Sequence, residues 1–177
     1  MMGTAPKTIK IDDLIPDPRN ARVHSGKNID AISESLIQYG AGRSIVIDGD
    51  GIVRAGNGTL EAAKEAGIEK VVVIDSDGKT LVAVRRADWS PLEAAGYGLA
   101  DNKTAELAKW DKDQLREIFA ELAGNDDLIV ATGFSEDEIS KLLGEPKPEP
   151  EPIDVSFQAH PKTGEVTCPK CGFQWED

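Results

Sequence analysis

Gly56-Asn57-Gly58-Thr59 is the stretch whose residue types and spacing best suit chemistry. Glycines on either side of an asparagine let the backbone turn sharply without a Cβ clash. Thr59 is expected to cap the helix that follows, and Gly67 stands where a terminal glycine would close it. A helix that starts from such a loop presents unpaired N–H groups and the positive end of its dipole, a ready site for an anion such as phosphate. Asn57 is placed to contact a phosphate or a base edge, and Thr59 offers a hydroxyl as well as a cap; the bland alternative is a connecting turn. Asn20, Arg22 and His24 form a second polar group, and Asp101-Asn-Lys-Thr104 a third that a helix break or cap explains equally well. Near the end of the chain, Cys168 and Cys171 have the C-x-x-C spacing that brings two thiolates onto one tetrahedral zinc. His160 is the nearest further nitrogen for that metal, and a carboxylate or a second copy of the chain would have to complete the shell.

The elements that must position these residues follow from pattern. Ile9 to Ile11 form a short strand, and Ile15-Pro-Asp-Pro-Arg-Asn-Ala-Arg22 an extended loop stiffened by two prolines. Ile29, Ile32, Leu36 and Tyr39 recur at helical spacing, with Gly40 closing the helix. Ile45 to Ile47 and Ile52-Val53 are strands joined through Asp48-Gly-Asp-Gly51. Lys70 to Asp75 and Thr80 to Arg85 form a second hairpin around Asp77-Gly78. Residues 90–144 are helical: Ser90-Pro-Leu-Glu93 and Ser135-Glu-Asp-Glu138 match capping boxes, and Leu115, Ile118, Phe119 and Leu122 form one apolar stripe. The chain thus divides into a tail (1–8), a mixed α/β core (9–87), a helical extension (88–144), a Pro/Glu spacer (145–155) and a cysteine-bearing tail (156–177).

This order of elements resembles the ParB/sulfiredoxin fold, in particular the ParB N-terminal-like domains of phage proteins and of proteins associated with DNA methyltransferases. The residues that carry the resemblance are Asn20-Ala-Arg22, Gly40, the strand pair to Val53, Gly56-Asn-Gly-Thr59 and Ala62-Ala-Lys-Glu-Ala-Gly67. Leu99-Ala-Asp-Asn-Lys-Thr-Ala-Glu-Leu107 and Trp110-Asp111 resemble the helical extension of the methylase-linked branch, so the match runs over roughly residues 8 to 144. It implies an α+β fold: a small mixed sheet, flanking helices and a helical C-terminal extension. It also implies that Asn20 and Arg22 lie beside the glycine box. The departures are informative. Segregation-type ParB proteins carry Gly-Glu-Arg-Arg in the box and hold a nucleoside triphosphate with its arginines, whereas this box reads Gly-Asn-Gly-Thr. A triphosphate pocket here would need Arg22, Arg43 or Arg54 to supply the charge. Sulfiredoxins place a catalytic cysteine where this chain has Asn57, which excludes sulfinic-acid reduction.

Charge narrows the partners. The net charge is −12, yet residues 111–177 alone carry 6 basic and 16 acidic side chains, so ten of the twelve excess negative charges lie there. The ParB-like part is near neutral, and only Arg19, Arg22, Lys27, Arg43 and Arg54 could converge into a basic face for nucleic acid. No run of about 18 apolar residues occurs and the N-terminus has no signal-type apolar segment, so a soluble, cytoplasmic protein without a membrane partner is expected. Two cysteines near the C-terminus cannot form a disulfide framework.

Two function classes follow. The first is a binding module on phage or mobile-element DNA, gated by a nucleotide with magnesium. It would act with a methyltransferase or terminase, and as a homodimer if a second copy completes the zinc shell. The anion site would comprise Gly56, Asn57, Gly58, Thr59, Asn20, Arg22 and Arg43, around one cleft. The second class, implied by the resemblance alone, is an enzyme: a nuclease, or a nucleotide hydrolase or phosphotransferase. Asp12, Asp13 and Asp17 are close in sequence, but their spacing does not make a metal site.

Overall fold

A computed structural model of the chain describes residues 5–144 and, beyond them, strand backbone at 166–167 and 174–175. The chain divides into two compact units, Met1–Glu145 and Pro146–Asp177. In the second unit β8 (Val166–Thr167) pairs antiparallel with β9 (Gln174–Trp175). His160, Cys168 and Cys171 lie outside the described residues, as does the 145–155 spacer.

The first unit has the mixed α+β arrangement of small sheets and flanking helices that the ParB/sulfiredoxin resemblance implied. Strand β1 (Lys7–Lys10) pairs antiparallel with β6 (Lys70–Val73). The strand expected at 9–11 ends earlier, because Ile11 opens a 3-10 turn (Ile11–Asp13) whose first N–H donates to the Glu69 carbonyl. β2 (Ile15–Pro16) then runs parallel to β5 (Ile52–Ala55), and β5 pairs antiparallel with β4 (Val46–Ile47). The β4–β5 turn forms where the Asp-Gly signal placed it. Asp48 Oδ1 accepts from the N–H groups of Asp50 and Ile52, both at 3.0 Å. The Ile52 N–H, joined by the Arg54 side chain, holds the Asp48 carboxyl below the ordinary carboxylate range.

Helices α1 (Gly26–Tyr39) and α2 (Asn57–Glu65) cover this framework. Ile11, Leu14, Val53, Leu60 and Ala63 are buried together, with Ile9, Leu36, Ile45, Ile47, Ile68 and Val71 packed around them. A fully buried Val or Leu side chain contributes about 1.5–3 kcal/mol, so this cluster fixes where α2 begins. Helix α3 (Pro91–Leu107) starts from the expected Ser90/Glu93 capping box. It leans on α1 through aromatic contacts: Tyr39, Trp89 and Tyr97 form an edge-on and tilted cluster, and burial pushes the Tyr97 hydroxyl pKa up.

The Asp77-Gly78 turn forms, with Asp77 Oδ1 accepting from Lys79 and Thr80, but residues 80–85 do not pair as a strand. Arg86 and the Trp89 indole both donate to the Tyr39 carbonyl. These contacts draw the chain off β6 and toward the end of α1.

β7 (Lys109–Trp110) returns to pair antiparallel with β3 (Arg22–Val23), which ties the helical extension to the loop that carries Asn20 and Arg22. Helices α4 (Lys112–Leu122), α5 (Asp126–Ala131) and α6 (Glu136–Gly144) complete the unit. Leu115, Phe119 and Leu142 close a second core, which also buries Ala21. No helix among the described residues is long and apolar enough to cross a membrane.

Candidate phosphate-binding site

The start of α2 differs from the capped helix that sequence suggested. Gly56, at φ +95°, is the residue before the helix, and its carbonyl accepts from the Leu60 N–H at 2.9 Å. Thr59 is therefore the third helical residue and not the cap. The left-handed conformation at Gly56 lets the helix start three residues earlier than a β-region cap at Thr59 would. A Cβ at Gly56 would also stand 2.6 Å from Ile45 Cγ2. No side chain caps this end and no acidic residue occupies its first turn, so the helix does not compensate its own positive dipole end.

Asn57 acts as a bracket. Its Nδ2 donates to the Val53 carbonyl at 2.8 Å, and its Oδ1 accepts the Asp17 N–H at 2.9 Å. Both ends of the amide are thereby engaged in tying the 15–22 loop to the top of β5. Asn20 does the same locally, its Nδ2 donating to the Arg22 carbonyl and its Oδ1 accepting the Arg22 N–H. These bonds set the direction of Arg22. Its guanidinium lies 4.4 Å over the Trp110 ring and donates once, to the Ala105 carbonyl at 2.7 Å. An arginine has five N–H donors, so most of its capacity is left for a ligand.

The expected single cleft is divided in two. Asn20, Arg22, His24 and Asn57 line an open cleft of about 320 Å³ together with Pro16, Asp17, Leu60, Glu61 and Lys64. Thr59 and Arg43 instead line a recess of only about 20 Å³ with Tyr97, Asp101 and Thr104. Arg43 is drawn into that recess by Asp101 at 3.3 Å. The structure thus brings Arg22 to Asn57 and takes Arg43 away from it. A convergent basic face does not form either, because partners on separate elements capture the arginines. Arg19 pairs with Glu121 at 2.8 Å, and Arg54 is clamped between Asp17 at 2.9 Å and Asp48 at 2.7 Å. The three early aspartates are likewise separated: Asp17 meets Arg54, Asp12 meets Lys64, and Asp13 accepts the Lys10 N–H. Among the described residues no group of three His, Cys, Asp or Glu side chains is arranged to hold a metal ion.

Asn28 is the residue that pattern reading missed. It is 0 % exposed, the one buried polar side chain among the described residues. Its Nδ2 donates to the Thr104 carbonyl at 2.9 Å, and its Oδ1 lies 2.6 Å from His24 Nδ1. Thr104 lines the small recess and His24 the open cleft, so Asn28 links the two. The His24 ring also lies against Gly58, where a Cβ would stand 2.5 Å from Cε1 and 2.8 Å from Nε2. The only sequence signal for this arrangement is the four-residue spacing of His24 and Asn28 across the start of α1.

This geometry makes a cleft able to take an anion. Arg22, His24 and Lys64 line it with Asn57, the first residue of α2, and so do the carboxylate residues Asp17 and Glu61; Lys64 stands at the far end of the helix, paired with Asp12. The comparisons agree with a ParB-like assignment. No family model matches the chain. The ParB-like nuclease domain-containing protein YnaK of Escherichia coli (strain K12) is 34% identical over 70 residues, which cover 40% of this chain and 80% of that relative. With a glycine box opening α2, the Asn20–Arg22 loop beside it and a relative matched over most of its length, this chain belongs to the ParB-like nuclease domain family.

Proposed function

We propose that the chain is a DNA-associated ParB-like module whose open cleft holds a phosphate of a DNA strand or a nucleotide. The observation that carries this reading is that Arg22, His24 and Lys64 line one cleft of about 320 Å³ together with Asn57, the first residue of the uncapped helix α2. The volume falls at the lower end of the range for small-molecule sites. The similarity to the ParB-like nuclease domain-containing protein YnaK supports a nucleic-acid context. Nucleotide gating, a phage or mobile-element setting and a methyltransferase or terminase partner are the finer parts of this proposal. The resemblance of the 99–111 segment to the methylase-linked branch supports the methyltransferase partner among them.

Charge gives the first test. Residues 145–177 carry 3 basic and 7 acidic side chains. Removing them takes away a net repulsion of phosphate. Fluorescence anisotropy with a labelled single-stranded oligonucleotide is expected to show moderate, steeply salt-dependent affinity that tightens when residues 145–177 are deleted. A truncated chain that binds no better than the full one contradicts the charge argument.

A further inference from the structure

We propose that His24 is the proton acceptor of a phosphodiester-hydrolysing site in the open cleft, and that Asn28 is the positioning residue that fixes its tautomer. The inference rests on the reading that this cleft takes a phosphodiester.

The tautomer follows from the bonding pattern. A backbone carbonyl only accepts, so the Asn28 group that faces Thr104 at 2.9 Å must be its NH2. That places the amide oxygen against His24 Nδ1 at 2.6 Å. An amide oxygen also only accepts, so Nδ1 carries the proton. A neutral imidazole has one donor and one acceptor nitrogen, which leaves Nε2 with its lone pair. Among the described residues Nε2 has no hydrogen-bond partner, while the side chain lines the cleft beside Arg22. Burial of Asn28 and the packing of the ring on Gly58 hold this orientation from both sides. A base held in one tautomer on the wall of a cleft needs no change of tautomer before it accepts a proton.

In the proposed step, water in the cleft forms a bond from its oxygen to phosphorus and gives a proton to His24 Nε2. The bond from phosphorus to the departing sugar oxygen breaks, and that oxygen takes a proton from solvent. The imidazolium then returns its proton to solvent. One water is consumed, and one diester becomes a monoester and an alcohol. Arg22 opposes the charge that grows on the non-bridging oxygens.

The test uses the full chain and a single-stranded DNA oligonucleotide labelled with fluorophore and quencher, with magnesium present. Cleavage is expected, and His24→Ala is expected to slow turnover of fully bound oligonucleotide, measured at saturating protein so that any change in affinity is read separately, at least about a hundredfold. Added imidazole should restore part of the rate. Binding without cleavage by the unmodified chain overturns the hydrolytic inference and leaves the binding reading intact. Absence of binding overturns both. Cleavage that His24→Ala does not slow, or a loss confined to affinity, removes His24 from the chemistry. Should the variant fail to fold, nitrogen NMR of the unmodified chain still decides: a proton on Nδ1 is expected, shifting to Nε2 in Asn28→Ala. A proton on Nε2 in the unmodified chain overturns the argument.

Discussion

Replacing Asn28 with alanine is expected to destabilise this protein more than any other polar-to-alanine change among the described residues. The side chain is fully buried and serves two partners from separate elements, the Thr104 carbonyl of α3 and the His24 ring. Alanine leaves a part-buried carbonyl and a part-buried ring N–H without these partners. An unpaired buried group costs about 1–3 kcal/mol, and the vacated volume adds to that. A loss of about 2–4 kcal/mol in urea unfolding is the expected result. Asn102→Ala supplies the control. Asn102 is also helical and also donates to a carbonyl, that of Gly98 at 2.9 Å, but it is exposed. Its removal should stay within about 0.5 kcal/mol. Similar losses for the two variants would show that the Asn28 link is not the tie between α1 and α3 described above.

Gly58→Ala is the second large effect, and its sign opposes helix propensity. In an ordinary helix position, glycine to alanine is worth about 0.5–1 kcal/mol in favour of alanine. Gly98, inside α3, has no atom within 4 Å of an added Cβ, so Gly98→Ala should stabilise by that amount. At Gly58 the same methyl would stand 2.5 Å from His24 Cε1, and Asn28 prevents the ring from simply yielding. Either the ring leaves Asn28 or the start of α2 shifts. Overpacking of this kind costs about 1–3 kcal/mol, so Gly58→Ala should lower the melting temperature where Gly98→Ala raises it. In a His24→Ala background the penalty should vanish and the propensity gain return, a coupling that a double-mutant cycle measures. A Gly58→Ala variant as destabilised without His24 as with it would place the cause elsewhere.

These two residues show where sequence reading reaches its limit. Local chemistry was legible: the Asp48-to-Gly51 turn, the helix closed by Gly40 and the Ser90 capping box all form as their residues dictate. Each depends on partners within a few positions. The hairpin after Asp77 failed although its turn formed, because contacts from Arg86 and Trp89 to Tyr39, some fifty residues away, outcompete a ladder on β6. Thr59 looked like a cap because its type suits one, but the left-handed Gly56 started the helix first. The grouping of Asn20, Arg22 and Asn57 was anticipated through the ParB resemblance. Arg43 stands with Thr59 in the small recess and not beside Arg22, because its partner, Asp101, sits on a helix that pattern could not orient. Asn28 escaped notice since a polar residue in an amphipathic helix reads as solvent-facing, and its partner lies 76 positions along the chain.

The central claim is that phosphate binds in the open cleft at the start of α2, beside Arg22. Calorimetric titration of the full chain with a short single-stranded oligonucleotide, at two salt concentrations, tests it most directly when repeated with Arg22→Ala and Arg43→Ala. Arg22→Ala should weaken binding and lower the salt slope by about one phosphate contact, while Arg43→Ala, whose charge is spent on Asp101 in the small recess, should leave both unchanged. Equal losses from the two variants, or a loss from Arg43→Ala alone, would contradict the account.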